Sequence, residues 1–319
     1  MRGSGRKAIL PEPRSVKSSL LSVLDMKQQR HTIPQKGKSV EESVRKWYDT
    51  FGWVEVDGKK SGEDISSREF RTPYYPYHER VEQRTCDCFS KLSGTMLIAG
   101  GGDMPESHIS IARRFSGISC LDISEKALEI AKTKLGENSR FFLGSILEAP
   151  FAENTFNAVL CAHVIYHIDF NLQGAAVEEL IRITKPGGRI VIIYANPGSI
   201  IRKIVRVTRL AKRIRKPFTR SQDNSPGSSD LSAPEQGHPR LPFSLHPLKW
   251  WKRFEPSCRV TFRPWDVMGN DQERILIHSD RLARFVYRCA SWIETAMPYA
   301  AAHLWQYPII VIDKASSSR

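Results

Sequence analysis

Three glycines in a row, Gly100, Gly101 and Gly102, follow the apolar run MLIA at 96–99. Glycine turns with positive φ and lets a ligand approach the backbone, and it weakens a strand in which it merely sits. Asp122 closes a second apolar run, ISCLD, 20 positions after Gly102. An acid at one strand tip beside a glycine loop at another is how nucleotide-binding α/β folds hold a ribose, two carboxylate oxygens facing two vicinal hydroxyls. A dinucleotide fingerprint would place a third glycine at position 105, where this chain has Pro105. No pyrophosphate site is spelled there, so a ligand with adenosine and no phosphates fits better. A tight strand-to-helix turn would use the same glycines, and the surrounding elements must decide.

Those elements alternate. MLIA is strand-like, SHISIARRF helical, ISCLD strand-like, SEKALEIAKTKL helical with Ser124 as cap, and RFFLG strand-like. FNAVLCA (156–162) is strand-like, GAAVEELIRITK helical before a turn KPGG, and RIVIIY (189–194) strand-like. Strands alternating with helices of about ten residues imply βαβ units, a parallel sheet, and ligands bound outside the carboxyl ends of the strands. Before this region lie a helix from Ser39 through Trp47, ended by Gly52, then a polar loop, and a second amphipathic helix in the latter half of 74–92, closed by Gly94. After it come a loop at 221–247, helix-like PLKWWKRF, a strand CRVTFRPW, a helical stretch from about Asp271 to His303, and a last strand YPIIVIDK.

The 319 residues suffice for one large α/β domain or two small ones, and no run of 18 apolar residues offers a membrane span. Six cysteines (Cys86, Cys88, Cys120, Cys161, Cys258, Cys289) form no C-x-x-C pair, which predicts free thiols and a reducing, cytoplasmic setting. Residues 1–38 hold basic residues but no clean hydrophobic core followed by a small-residue cleavage site, so a secretory signal is not expected. The net charge of +14 is concentrated in two places, +7 within residues 1–40 and +9 within 202–220, so the remaining body is nearly neutral.

The strand–AGGG, the strand ending LDIS, LGSILEAPFAENTFNAV, LCAHVIYHID and ELIRITKPGGRIVII, in that order, resemble the class I S-adenosylmethionine-dependent methyltransferases. The closest likeness is to the type 11 group, which includes quinone-biosynthesis methyltransferases. It is close over 95–195 and looser over YDTFGWVEVDG and QYPIIVIDK. It implies an α/β fold: a Rossmann-like seven-stranded sheet, an N-terminal helical cap, and a basic amphipathic helix inserted after strand 5. The expected divisions are a flexible basic tail (1–38), the helical cap (39–94), the cofactor-binding core (95–195), the basic helix and a mobile loop (196–247), and a C-terminal part completing the sheet (248–319). The resemblance also implies that Ala99, Gly100, Gly101 and Gly102 admit the methionine half of S-adenosylmethionine. Asp122 would hold its ribose with Ile123 against the adenine, Ser145 and Ile146 would border the adenine, and Ala162 and His163 would line the sulfonium side. Ile123 and Ile146 are equally consistent with plain core.

The chain departs from the family pattern at four places. The acid usual two residues before the first glycine is Ile98, the acid usual after the third strand's glycine is Ser145, the Phe-Asp before the fourth strand is Phe156-Asn157, and the glycine often closing the loop is Met104. A hydrogen bond to a charged group is worth about 1.5 to 3 kcal/mol, so these changes bear on cofactor affinity.

Methyl transfer from a sulfonium needs alignment and desolvation, and a base only where the acceptor must lose a proton. His163, Tyr166 and His167 are the candidates, although His167 could simply satisfy a backbone group. The two histidines are spaced i, i+4, but no carboxylate or cysteine completes a set, so no metal is assigned. Tyr48, Trp53 and Tyr75 could fold over the pocket.

In residues 200–220 basic side chains recur at 202, 206, 209, 213, 216 and 220, and apolar ones at 200, 204, 207, 211, 214 and 218, displaced by about 200° around a helix. Pro217 should end it. A helix at 200–216 with this pattern fits an anionic membrane surface; packing on the chain's own sheet or roofing its pocket is the equal alternative. Three readings compete: a methyltransferase acting on a small or lipid-linked acceptor, peripheral to the inner face of a membrane; a non-catalytic scaffold on a degenerate methyltransferase fold; and an RNA methyltransferase, disfavoured because the body lacks matching basic charge.

Overall fold

A computed structural model of the chain describes residues 35–52, 54–56, 59–61, 70–102, 104–136, 139–215 and 241–316. The expected basic tail up to residue 34, Trp53 and most of the 221–247 loop therefore lie outside the described residues.

The first helix, α1 (Gln35–Trp47), starts four residues before the predicted cap at Ser39 and runs into a π-turn at Tyr48–Gly52. A short antiparallel ladder of β1 (Val54–Val56) and β2 (Lys59–Ser61) follows, where the sequence suggests only polar loop. The helix α2 (Tyr75–Cys88) takes Pro76 in its first turn, a position that costs no helical hydrogen bond, and so begins earlier than its amphipathic half predicts.

The main sheet contains β3 (Thr95–Ala99), β4 (Gly117–Asp122), β5 (Ser139–Leu143), β6 (Phe156–Ala162), β7 (Thr184–Ile193), β8 (Cys258–Asp266) and β9 (Tyr307–Lys314). Its order is β5-β4-β3-β6-β7-β9-β8, parallel except for β9, which runs antiparallel to both neighbours. This is the seven-stranded Rossmann-like arrangement implied by the sequence. Between strands lie α3 (Glu106–Ala112), α4 (Glu125–Leu135), α5 (Gln173–Ile183) and α6 (Ile200–Arg215), with α7 (Asn270–Leu276), α8 (Asp280–Ala296) and α9 (Pro298–Leu304) before β9. The single helical stretch expected over 271–303 is thus three helices, the last entered through Pro298.

The central strands are mostly apolar because both faces are covered, whereas the edge strands β5 and β8 carry Arg140, Arg259 and Arg263. Met96, Ile98, Leu160, Val191, Ile193, Ile309 and Val311 point to one core with Tyr77, Val81, Tyr287 and Ala290 from α2 and α8. Leu97, Ala99, Val159, Cys161, Ile190, Ile192 and Ile312 point to the other with Val177 and Leu180 of α5 and Trp251. KPGG, expected as a turn, is an irregularity inside β7: its register against β6 jumps between Phe156 and Ala158, with Gly187 at φ +75°.

The cap and the C-terminal half are fastened by Glu294, 5% exposed. Its carboxylate accepts from the Tyr77 hydroxyl at 2.6 Å and the Trp305 indole N–H at 2.8 Å, and pairs with Arg84. Removing one member of a buried pair strands the other. Glu294→Ala should lose about 3 to 5 kcal/mol in a urea titration, whereas alanine at the exposed Arg113–Glu106 pair should change little.

Candidate functional site

The carboxyl ends of the sheet open into a cavity of about 1470 Å³ whose wall includes Gly100–Gly102, Asp122, Ile123, Ile146, Ala162, His163, Tyr166 and His167. Ten of the twelve sequence-predicted residues are therefore brought to one cavity. Ala99 and Ser145 are not among the lining residues: Ala99 is fully buried beneath the loop, and the Ser145 hydroxyl is engaged by Glu41 and by the Leu147 N–H.

The glycine run is demanded twice over by local packing. Gly100 has φ +72°, and a Cβ there would lie 2.2 Å from Val164 Cγ2; at Gly101 it would lie 2.8 Å from Cys120 Sγ. With no side chains present, the backbone of 100–102 is itself cavity wall. Met104 occupies the family's glycine position at φ +50°, a conformation costly for a side-chain-bearing residue, and its side chain is fully buried. Ile98 is core, leaving no site for an acid. Asn157 lies at the opposite ends of the strands, where its Oδ1 accepts from the Thr95 N–H and from Lys185, so this departure removes no charge from the cavity.

Asp122 laces the loops together. One carboxylate oxygen accepts the Ser124 N–H at 2.9 Å and the other the Gly102 N–H at 3.3 Å, while the Gly144 N–H bonds the Asp122 carbonyl at 2.9 Å. Burial pushes its pKa up, against backbone N–H groups that pull it down, and Asp49 adds a repulsion. Asp49 arrives with the cap: its carboxylate accepts the Ser124 hydroxyl at 2.6 Å, and its carbonyl receives Lys126. Ser124 also caps α4, accepting the Ala127 N–H as predicted.

At the tip of β6, His163 is held in the left-handed region at φ +61°. Its Nδ1 lies 2.9 Å from the Tyr166 hydroxyl, and its ring meets Trp265 and Tyr307 edge-on at 4.9 and 5.5 Å. Burial lowers its pKa to about 3 and that of His167 to about 4, so both rings are neutral near pH 7. His167 Nδ1 stands 2.7 Å from the Pro242 carbonyl. A carbonyl only accepts, so Nδ1 carries the proton and Nε2 is the acceptor, 3.5 Å from the Tyr48 hydroxyl. His167 therefore does satisfy a backbone group, and Tyr48 lines the pocket. Tyr75 also lines it, half-exposed. The end of the segment expected to be mobile is pinned here too, the Ser244 N–H donating to the Tyr166 carbonyl at 2.9 Å.

Sequence reasoning missed Asp266, at the carboxyl end of β8. It is 2% exposed, accepts the Tyr74 hydroxyl at 2.7 Å and the Met268 N–H at 3.2 Å, and lines the cavity. Burial raises its pKa to about 7. Like Asp122 it is an acid at a strand's carboxyl end, but Arg259 and Arg263 interrupt the apolar run that marks ISCLD.

Residues 99–192 match a family model described as a methyltransferase domain. Demethylmenaquinone methyltransferase of Lactococcus lactis is 38% identical over 126 residues, 37% of this chain and 49% of that protein. Ubiquinone/menaquinone biosynthesis C-methyltransferase UbiE of Idiomarina loihiensis is 27% identical over 131 residues, 38% of this chain and 51% of that protein. This chain thus spans about half the length of these curated relatives. Among solved structures, N-methyltransferase NodS from Bradyrhizobium japonicum, in complex with S-adenosyl-L-homocysteine, aligns with a TM-score of 0.47 at 11% identity, covering 88% of this chain and 99% of that one.

A histidine whose folded pKa lies below its unfolded 6.5 takes up a proton on unfolding, so stability should fall as pH drops from 6.5 toward 4. Asp266, with its raised folded pKa, opposes this, being more favourable when protonated. Comparison with His167→Asn isolates the histidine: its melting temperature should decline less over pH 6.5 to 4 than that of the native chain.

Proposed function

We propose, from the match of residues 99–192 to a methyltransferase-domain model, that the chain transfers the methyl group of S-adenosylmethionine to a small or lipid-linked acceptor. The observation that carries this is the Asp122–Gly102 junction at the cavity wall. Asp122 keeps acceptor capacity on both oxygens beyond its two backbone donors, enough for two ribose hydroxyls. Gly100–Gly102 admit the methionine half, Ile123 and Ile146 flank the base, and Ala162 and His163 face the sulfonium. The bound cofactor supplies a methyl group already activated for in-line displacement.

The strand order divides the labour. The β5-β4-β3 half holds the nucleoside side, β6 the centre, and the β7-β9-β8 half is left for the acceptor, walled by Trp265, Met268 and Tyr307. The burial that keeps His163 and His167 neutral also excludes water. His163 with Tyr166, and Asp266 with Tyr74, are the pairs placed to take a proton from an acceptor that must lose one.

The basic helix serves two sides. Arg202, Val205 and Arg209 of α6 line the cavity, while Ile200, Ile204, Val207 and Leu210 face outward, Val207 being 64% and Leu210 57% exposed beside exposed Lys203 and Arg206. An apolar stripe turned to solvent and bordered by cations suits the plane of an anionic membrane. The same helix would then hand an acceptor from the bilayer to the pocket. Among the described residues no helix is long and apolar enough to cross a membrane.

Isothermal titration with S-adenosylhomocysteine should show micromolar binding that falls about 10- to 100-fold in Asp122→Ala, the loss of a charged hydrogen bond. Absence of binding by folded protein would favour the scaffold reading. Sedimentation with phosphatidylserine vesicles should retain the native chain and release Val207→Glu/Leu210→Glu, with cofactor affinity unchanged; equal sedimentation would remove the membrane surface.

A further inference from the structure

The acid missing at position 145 returns from another part of the chain. Glu41, on α1, lines the cavity together with Val44 and Tyr48, three positions that follow one helical face. One of its carboxylate oxygens accepts the hydroxyl proton of Ser145, whose own oxygen is oriented by the Leu147 N–H at 3.0 Å. The other oxygen has no partner among the described residues. No cation pairs with this carboxylate there either; Glu148 repels it, and burial raises its pKa. A half-buried carboxylate with a free oxygen toward a cavity is satisfied by a donor brought in from outside.

What that donor is follows from position. A ribose held at Asp122 places its base beyond β4, toward the β5 loop, where Ile123, Gly144 and Ile146 form the apolar wall. Ser145 lies in that loop, so Glu41 sits where the edge of the base must end. A purine carrying an exocyclic amine presents N–H donors at that edge, and an oxo group there would present an acceptor.

We propose that Glu41, anchored by Ser145, accepts a hydrogen bond from the exocyclic amino group of the bound cofactor's adenine, making α1 part of the binding site. This rests on the S-adenosylmethionine reading given above. It makes base recognition and placement of the cap one event, since Asp49, eight residues further on, is tied to the Ser124 that adjoins Asp122.

The test is titration of the full chain with S-adenosylhomocysteine and with S-inosylhomocysteine, whose base carries oxygen in place of the amine. The native chain should prefer the amine by about tenfold or more. Glu41→Ala should lose that preference, and Glu41→Gln, whose amide can face either group, should reduce it. A merely structural loss would lower both affinities together and leave the ratio intact. Amide exchange over 35–52 should slow on binding S-adenosylhomocysteine in the native chain and not in Glu41→Ala. A preference kept in Glu41→Ala, or absent from a native chain that binds S-adenosylhomocysteine, overturns the role of Glu41 and leaves the cofactor reading standing. A native chain that binds neither ligand retires both.

Discussion

Two backbone N–H groups donating to one carboxylate, that of Asp122, set the geometry on which the rest of the site depends. The glycine loop after β3 has no side chains with which to hold itself, and its positive φ values at Gly100 and Gly102 are open to many alternatives. Asp122 fixes the loop from the neighbouring strand, and the Gly144 N–H bonded to the Asp122 carbonyl carries the same restraint to the β5 loop. Three strand tips are thereby held as a unit. The restraint works because Asp122 is largely removed from solvent, where a hydrogen bond to charge is stronger than in water.

The alternating pattern between residues 95 and 195 was legible because the central strands of a parallel sheet covered on both faces are mostly apolar, MLIA and AVLCA above all. FNAVLCA and YPIIVIDK are strands to the residue. Asp122 and the glycines could be read because their chemistry and their place at strand ends coincide. What could not be read depends on contacts distant in sequence. Nothing near Glu41 says that it will meet Ser145, 104 positions away, and nothing near Tyr74 says that it will meet Asp266, 192 positions away. Helix starts at Gln35 and Tyr75 escaped for a different reason: each lies upstream of the amphipathic pattern that marks its helix.

The departures from the family pattern acquire separate meanings in three dimensions. Ile98 became core. Asn157 joins β3 to β7 through Thr95 and Lys185, far from the cavity. Met104 keeps a glycine-like conformation and repays part of its strain by burying its side chain under Gly101. Ser145 lies off the cavity wall and meets it through Glu41, to which its hydroxyl donates. A motif scored one position at a time treats these four as equivalent losses; the fold distributes them among core, scaffold, loop and the support of a cavity-lining carboxylate.

The antiparallel β9 carries a consequence for synthesis. It lies between β7 and β8 yet follows both in the chain. Until it has emerged from the ribosome, the run Ile190, Val191, Ile192, Ile193 remains an unpaired sheet edge, and β8 has nothing to pair with. An exposed apolar edge of this kind is where one nascent chain joins another. The Rossmann-like half can therefore form early while the molecule stays vulnerable to aggregation, and closure waits on insertion of a single strand. Chaperone capture during translation should accordingly concentrate on the interval between β7 and β9, a demand imposed by strand order rather than by overall stability.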